Sequence, residues 1–335
     1  MRSRQAVLQD GRGRRAHTPL HIPLLGWKDV LLRVFHAFSD NNLSLIAAGA
    51  SFYGLLAIFP GIAAFVAIYG LFFDPHNAIT QMQGLSGLLP PDVIRTVTGQ
   101  MVQIADRPPA SLGVAALFTL SLALWSARRG TTALMTALNV VYAEKESRNL
   151  IVTTLISLAL TLALILGLIG VALLAAGIPI IFAALGASGL AVAIGRGIGL
   201  GAGALLLMLG IAGMYRYAPS RARPKWRWVF VGAAIVTVFW IIGSLAFSVY
   251  LAFSDSYSAT YGSIGAVVVV LTWLYITILI MLVGGEINAQ LEFQTAEDTT
   301  ISGNKPMGQR GAFVADNIAK CAEDIDFDAE ESDPQ

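Results

Sequence analysis

Long uncharged apolar runs, separated by short polar stretches, dominate the chain. The last run is the plainest. From Ser256 to Gly285, 30 residues carry no charge, and about 20 helical residues cross the hydrocarbon core of a bilayer. Backbone polar groups in hydrocarbon must bond to one another, so the run predicts a helix. Its polar residues stand at the ends: Tyr261, Gly262 and Ser263 at one, Glu286 and Asn288 at the other. The pattern predicts a membrane span that ends on a carboxylate.

Earlier stretches extend the picture. Trp27, Val30, Leu31, Val34, Phe35 and Phe38 recur at helical spacing with Lys28, Asp29, Arg33 and His36 between them, which predicts an amphipathic interfacial helix over 27–38. Ser39 to Asn42 offer caps for the next helix. Residues 41–73 are uncharged and predict the first span, with a kink at Pro60-Gly61. Residues 74–111 read as an extracytoplasmic loop with short surface helices, one starting at Pro90-Pro91-Asp92 and placing Ile94, Val97, Met101 and Ile104 on one face. Residues 108–127 are uncharged and just long enough for a second span, whose helical pattern continues past Arg128-Arg129 to Asn139 and Tyr142. The uncharged stretch 149–195 predicts a hairpin of two spans, near 150–174 and 190–214, with its turn at Pro179 or at 186–189. Gly195, Gly197, Gly199, Gly201 and Gly203 alternate there and predict close helix packing rather than a nucleotide-binding loop; Arg196 reaches the interface by its length. The fifth span lies over 229–253, after a basic loop at 216–227, and a very short turn at Asp255 leads into the sixth.

The fold class is therefore all-α: a polytopic membrane protein with six transmembrane helices plus amphipathic interfacial helices. Composition agrees, since 56% of the 335 residues are hydrophobic and only 13% charged, against about one quarter charged in soluble domains. Three regions follow: a disordered basic tail over 1–26, a membrane domain over 27–294, and a disordered acidic tail over 295–335, in which seven of the eleven residues 323–333 are carboxylates. The first 26 residues hold no apolar core of signal-peptide type. With both termini inside, nineteen of the 22 basic residues fall on the cytoplasmic side, leaving Arg95, Arg107 and Arg196 opposite, so the positive-inside rule predicts cytoplasmic termini.

Several runs carry a resemblance. These are Ala50 through Phe52 and Tyr53 to Pro60, Leu134 to Tyr142, Arg223-Pro224-Lys225-Trp226 leading to Gly232, and Tyr261-Gly262 through Trp273 and Tyr275 to Gly285, Glu286 and Asn288. In this order, over about residues 28–294, the chain resembles the YihY/BrkB family of bacterial inner-membrane proteins. The resemblance implies six spans and a plasma-membrane location. It also brings an old ribonuclease BN label, a serum-resistance member and the suggestion that relatives export lipid or envelope precursors. It brings no catalytic residues. Where relatives often have small residues after the tryptophan of the second span, this chain has Arg128-Arg129.

Candidate chemistry is sparse. The four histidines, His17, His21, His36 and His76, are scattered outside the apolar runs, and the single cysteine, Cys321, lies in the tail. No catalytic residue, metal site or cofactor is expected, and a ribonuclease lacks its acid–base pair or metal ligands. The basic N-terminus is too weak a signal for a nucleic-acid partner. Polar groups at membrane depth remain: Glu286, Asn288, Arg128, Arg129 and Asn139 form a candidate gate or ligand path, in which Glu286 pairs with Arg128 or Arg129, or else merely ends its helix. The basic belt around them suits anionic lipid head groups. No phosphate-binding loop for ATP occurs. The expected function is facilitated transport or export of a lipid or envelope-precursor amphiphile. The alternatives are a non-catalytic envelope assembly scaffold, with a partner envelope protein or a second copy of the chain, and a channel.

Overall fold

The apolar runs become helices, several of which extend past their uncharged limits. The computed structural model describes residues 11–69, 77, 82, 91–105, 114–186, 189–253, 256–301, 303 and 305–319. Its helices are α1 (Leu24–Asp40), α2 (Leu43–Tyr69), α3 (Pro91–Ala105), α4 (Val114–Val141), α5 (Leu150–Ala184), α6 (Leu190–Tyr217), α7 (Trp226–Ala252), α8 (Ser256–Gln294) and the short α9 (Phe313–Asp316). Among the described residues no strand occurs, only an isolated bridge between Pro224 and Thr300.

Two cores set the direction of each long helix. At one end, Leu43 of α2, Leu138 and Val141 of α4, Tyr215 of α6, Val229 of α7 and Leu282 of α8 pack together. At the other, Ile62 to Tyr69 of α2 meet Met101 of α3 and Ile165 and Ile169 of α5, with Leu120 and Leu124 of α4 alongside. Successive long helices therefore alternate in direction along one bundle.

Five of the described helices are long and apolar enough to cross a membrane: Leu43–Tyr69, Leu150–Phe182, Leu190–Tyr217, Trp226–Leu251 and Gly265–Gln294. The expected second span is not among them. α4 runs the length of the bundle for 28 residues, but Arg128 and Arg129 stand at its middle and lower its apolarity. Among the described residues six long helices run along the bundle, and five of them are apolar enough to span.

Other expectations shift in detail. α2 continues through Pro60 for 27 residues, and Asn42, with φ +49°, makes the turn that separates it from α1, a conformation Asn tolerates. α5 runs through Pro179, so the hairpin turn falls at Gly186 and Gly189, both with positive φ. On α6 the glycines divide. Gly195 and Gly199 face Phe182 and the Leu174 carbonyl of α5, whereas Gly197 and Gly201 face open space. Asp255 lies outside the described residues.

The two regions read as unstructured tails are folded where they are described. Ala296 N–H donates to the Arg14 carbonyl at 2.8 Å, and Ala319 N–H donates to the Phe293 carbonyl at 2.9 Å. Arg310 bonds the carbonyls of Glu297 at 3.0 Å and Ala315 at 2.7 Å, and Asp316 accepts from the Gly308 and Arg310 amides. Low hydrophobicity argues for disorder only where polar groups lack partners; here the end of α8 and the loop after α6 supply them. Residues 1–10 and 320–335 lie outside the described residues.

α1 differs from a simple amphipathic helix. Val30 and Val34 turn inward together with Asp29 and Arg33, while Leu31 and Phe35 are exposed. These two charges face inward because each has a partner there, whereas Lys28 and Asp40 are exposed. Arg12 clasps Asp29 at 2.8 Å, and Arg33 bonds the Gln290 and Gln294 side chains of α8 at 2.8 and 2.7 Å.

Candidate functional site

α8 does not end at Glu286. It runs 39 residues to Gln294, because nothing between Glu286 and Gln294 breaks a helix. The extension carries two polar stripes at helical spacing: Glu286, Gln290 and Gln294 on one, Asn288 and Glu292 on the other.

The first stripe meets α1. Gln290 Nε2 donates to Glu286 Oε1 at 2.8 Å, and Arg33 holds Gln290 from the far side. Glu286 is buried, and its Oε2 has no hydrogen-bond partner among the described residues. The nearest cation in this chain of bonds is Arg33, one glutamine away.

Arg128 and Arg129 lie elsewhere. Gly130 beside them packs on Ala57 and Gly54 of α2, and Gly54 in turn faces Leu274 and Ile278 of α8. Those two residues precede Glu286 by two to three helical turns. The Arg128 guanidinium lies 4.0 Å from the centroid of the Trp125 ring, and Arg129 is exposed. Among the described residues no ion pair joins either arginine to Glu286, so the expected gate pair is not formed.

The second stripe meets α7 and the loop after α6. Asn288 Oδ1 accepts from Gly232 N–H at 2.8 Å, and its Nδ2 donates to the Val229 carbonyl at 3.2 Å. A Cβ on Gly232 would strike the Gly284 carbonyl and the Asn288 amide, so glycine is required at this crossing. Glu292 receives both Nη groups of Arg221, at 2.7 and 3.2 Å, and neither side chain has any exposure. The Arg221 guanidinium also lies 4.0 Å from the centroid of the buried Tyr142 ring. Burial raises the Tyr142 phenol well above its usual value against the opposing pull of Arg221.

Asn139 joins two loops at the same end. Its Oδ1 accepts from Ser220 N–H at 2.7 Å and its Nδ2 donates to Glu146 at 3.2 Å. Glu146 in turn pairs with Arg148 at 2.7 Å, and its hydrogen bonds to Arg148 hold its carboxyl down at about 2. Glu286, Asn288 and Asn139 thus serve one polar end of the bundle, and Arg128 and Arg129 do not reach it.

The family motifs are dispersed. Phe52 and Tyr53 form an exposed edge-on pair on α2, and Tyr275 bonds Ser44 at 2.8 Å. Pro224 accepts a hydrogen bond from Arg216, and Trp226 stacks on Phe230 at 5.5 Å. Gly285 packs against Leu138, Val141 and Tyr215. Tyr261 and Gly262 lie on α8, with side-chain surroundings outside the described residues.

Beside the second core, whose Ile62, Phe65, Met101 and Ile165 help line it, lies a cavity of about 530 Å³, a size typical of small-molecule sites. Phe65 of α2, Met101 of α3, Leu168 of α5, Gly201 of α6, and Trp240 and Trp273 from α7 and α8 are among the residues that line it. The indole N–H of Trp240 donates to Thr277 at 3.1 Å, and that of Trp273 to Ser244 at 3.4 Å. Both polar tips are therefore engaged by helix residues, and the lining that remains is almost wholly apolar. The cavity has its width because Gly61 and Gly201 leave open space where a side chain would stand. Sequence reasoning missed it, along with Arg33, Gln290 and the Arg221–Glu292 pair. The i, i+4 polar stripes past Glu286 were the available signal.

A bundle of long apolar helices with one polar, ion-paired end defines an integral membrane protein of polytopic helical type. The chain belongs to the family described as virulence factor BrkB, whose model matches residues 34–307. It is 30% identical over 273 residues to YfkH of Bacillus subtilis (strain 168), a protein named ribonuclease-like, covering 78% of this chain and 94% of that one. It is 26% identical over 278 residues to a UPF0761 membrane protein of Albidiferax ferrireducens, covering 81% of this chain and 64% of the relative, and 25% identical over 284 residues to one of Delftia acidovorans, covering 79% and 62%. No solved structure matches the chain.

Proposed function

We propose that the chain is a non-catalytic facilitator that moves an amphiphile, a lipid or an envelope precursor, across the bacterial inner membrane, with its arginine-rich end in the cytoplasm. The observation that carries this reading is the cavity beside the second core, about 530 Å³ and almost wholly apolar. Such a lining suits an acyl or isoprenoid chain and offers nothing to an ion or a sugar, whose polar groups would be desolvated without partners. The orientation rests on the positive-inside rule, since Arg148, Arg216, Arg221, Arg223 and Lys225 all lie at one end. A nuclease reading, which the name of YfkH suggests for that protein, would need ligands or an acid–base pair. Among the described residues no three His, Cys, Asp or Glu side chains cluster in that way.

Reconstitution tests the proposal. Proteoliposomes holding the full chain are expected to move a labelled lipid or envelope precursor between leaflets faster than empty vesicles. Equal rates for a panel of such amphiphiles, together with a stably co-purifying envelope protein, would favour an assembly scaffold instead.

A further inference from the structure

At the polar end, a second pocket of about 390 Å³ is bounded by four arginines, Arg148, Arg216, Arg221 and Arg223. We infer that this pocket binds a phosphate group, carried either by the head group of an anionic lipid or by a soluble phosphate compound. The assignment goes beyond the apolar cavity and does not depend on transport.

Charge is the first argument. Glu292 balances Arg221, and Glu146 balances Arg148. Arg216 and Arg223 have no carboxylate partner among the described residues. Arg216 instead donates to the Pro224 carbonyl and lies against the Trp226 ring, 4.7 Å from its centroid. Arg223 lies 5.2 Å from the centroid of the Tyr217 ring. The pocket therefore keeps two positive charges in excess.

An unmet donor is the second argument, independent of charge. Arg216 is only 8% exposed, yet its Nε is buried without an acceptor. A buried donor left unpaired costs about 1–3 kcal/mol, more when it is charged. A phosphate offers several acceptor oxygens to planar guanidinium forks, the geometry that favours arginine at such sites.

The pocket is built rather than incidental. Asn139 holds the Ser220 amide at 2.7 Å, and the Ala222 amide donates to Gly311 of the C-terminal segment at 2.8 Å. The loop that bears Arg221 and Arg223 is thus fixed from both sides. Its apolar wall is Ile156 of the span α5, so the pocket straddles the boundary between hydrocarbon and the polar end.

The test uses the full chain in phosphatidylcholine nanodiscs, with two titrants: phosphatidylglycerol added to the disc, and inorganic pyrophosphate added to the solution. Saturable binding in either arm is expected, weakened about tenfold by Arg223→Gln, as for the loss of one charge-assisted contact. Lys145→Gln, a charge at the same end outside the pocket, should leave it unchanged. Arg216→Lys is a second probe, but Arg216 also holds the Pro224 carbonyl. Arg223 is exposed, so shortening it is expected to leave the fold intact, and Arg223→Gln is the deciding variant. Binding in the lipid arm alone names a head group, and binding of pyrophosphate names a soluble phosphate. Absence of saturable binding in both arms, or equal weakening by Arg223→Gln and Lys145→Gln, overturns the site. Flux in proteoliposomes is measured separately, so binding without flux would sink only the transport reading.

Discussion

Arg221 and Glu292 form a two-pronged ion pair in which neither side chain touches solvent, at 2.7 and 3.2 Å, with Thr299 Oγ1 closing the second carboxylate oxygen at 2.8 Å. The pair ties the loop after α6 to the last turn of α8. Removing one member of a buried pair strands a charge, whereas replacing both with apolar groups can be neutral. Glu292→Ala is therefore expected to destabilise the protein by about 3–5 kcal/mol. The double variant Arg221→Met/Glu292→Leu should recover most of that loss. Thermal unfolding in detergent measures both, and a double variant no better than the single one would refute the stranded-charge explanation.

Gly232 and Gly284 bring the backbones of α7 and α8 into contact, with Asn288 bonded across the seam. A valine at position 232 must push against a carbonyl rather than a yielding side chain. Gly232→Val should cost at least about 3 kcal/mol, the top of the usual range for overpacking. The melting temperature is the readout.

The glycines of α6 give a paired test. Gly199 faces the Leu174 carbonyl, and Gly201 faces open space beside the cavity. Gly199→Leu should destabilise the bundle. Gly201→Leu should leave stability unchanged or raise it by up to about 1 kcal/mol through helix propensity, while filling the cavity and slowing amphiphile flux in proteoliposomes. Undiminished flux with the cavity filled would count against the passage route.

Glu286→Gln keeps an oxygen for the Gln290 amide and removes the charge. Flux is expected to disappear while insertion and melting temperature hold, as for a group that acts in the path rather than in the fold. Normal flux would take Glu286 out of the mechanism.

Glu146 lies in the loop between α4 and α5, and its hydrogen bonds to Arg148 lower its carboxyl from 4.5 to about 2. A depressed folded value means that its contribution to stability is complete above about pH 4.5 and is lost as the pH falls towards 2. The melting temperatures of the native chain and of Glu146→Gln should differ at neutral pH and converge below about pH 4.5. A gap that stays constant through acid would contradict the Arg148 pairing.

The amino-acid order alone determined the class of protein. Uncharged runs of 30 residues and more cannot fold in water without a very large core, and in hydrocarbon they have only the helix available. The helix start at Pro91 and the close-packing role of Gly195 and Gly199 were legible for similarly local reasons, a missing amide hydrogen or a missing Cβ. Tertiary structure decided the rest. Whether Glu286 ends a helix depends on what receives the next two turns, and α1, α7 and the loop after α6 receive them with Arg33, Val229 and Arg221. Such contacts also turn Asp29 and Arg33 inward and order the described residues among 295–319, which composition alone assigns to solvent. A charge can be placed from sequence by its cost in lipid, but its partner lies on a distant segment and becomes known only when the chain has folded.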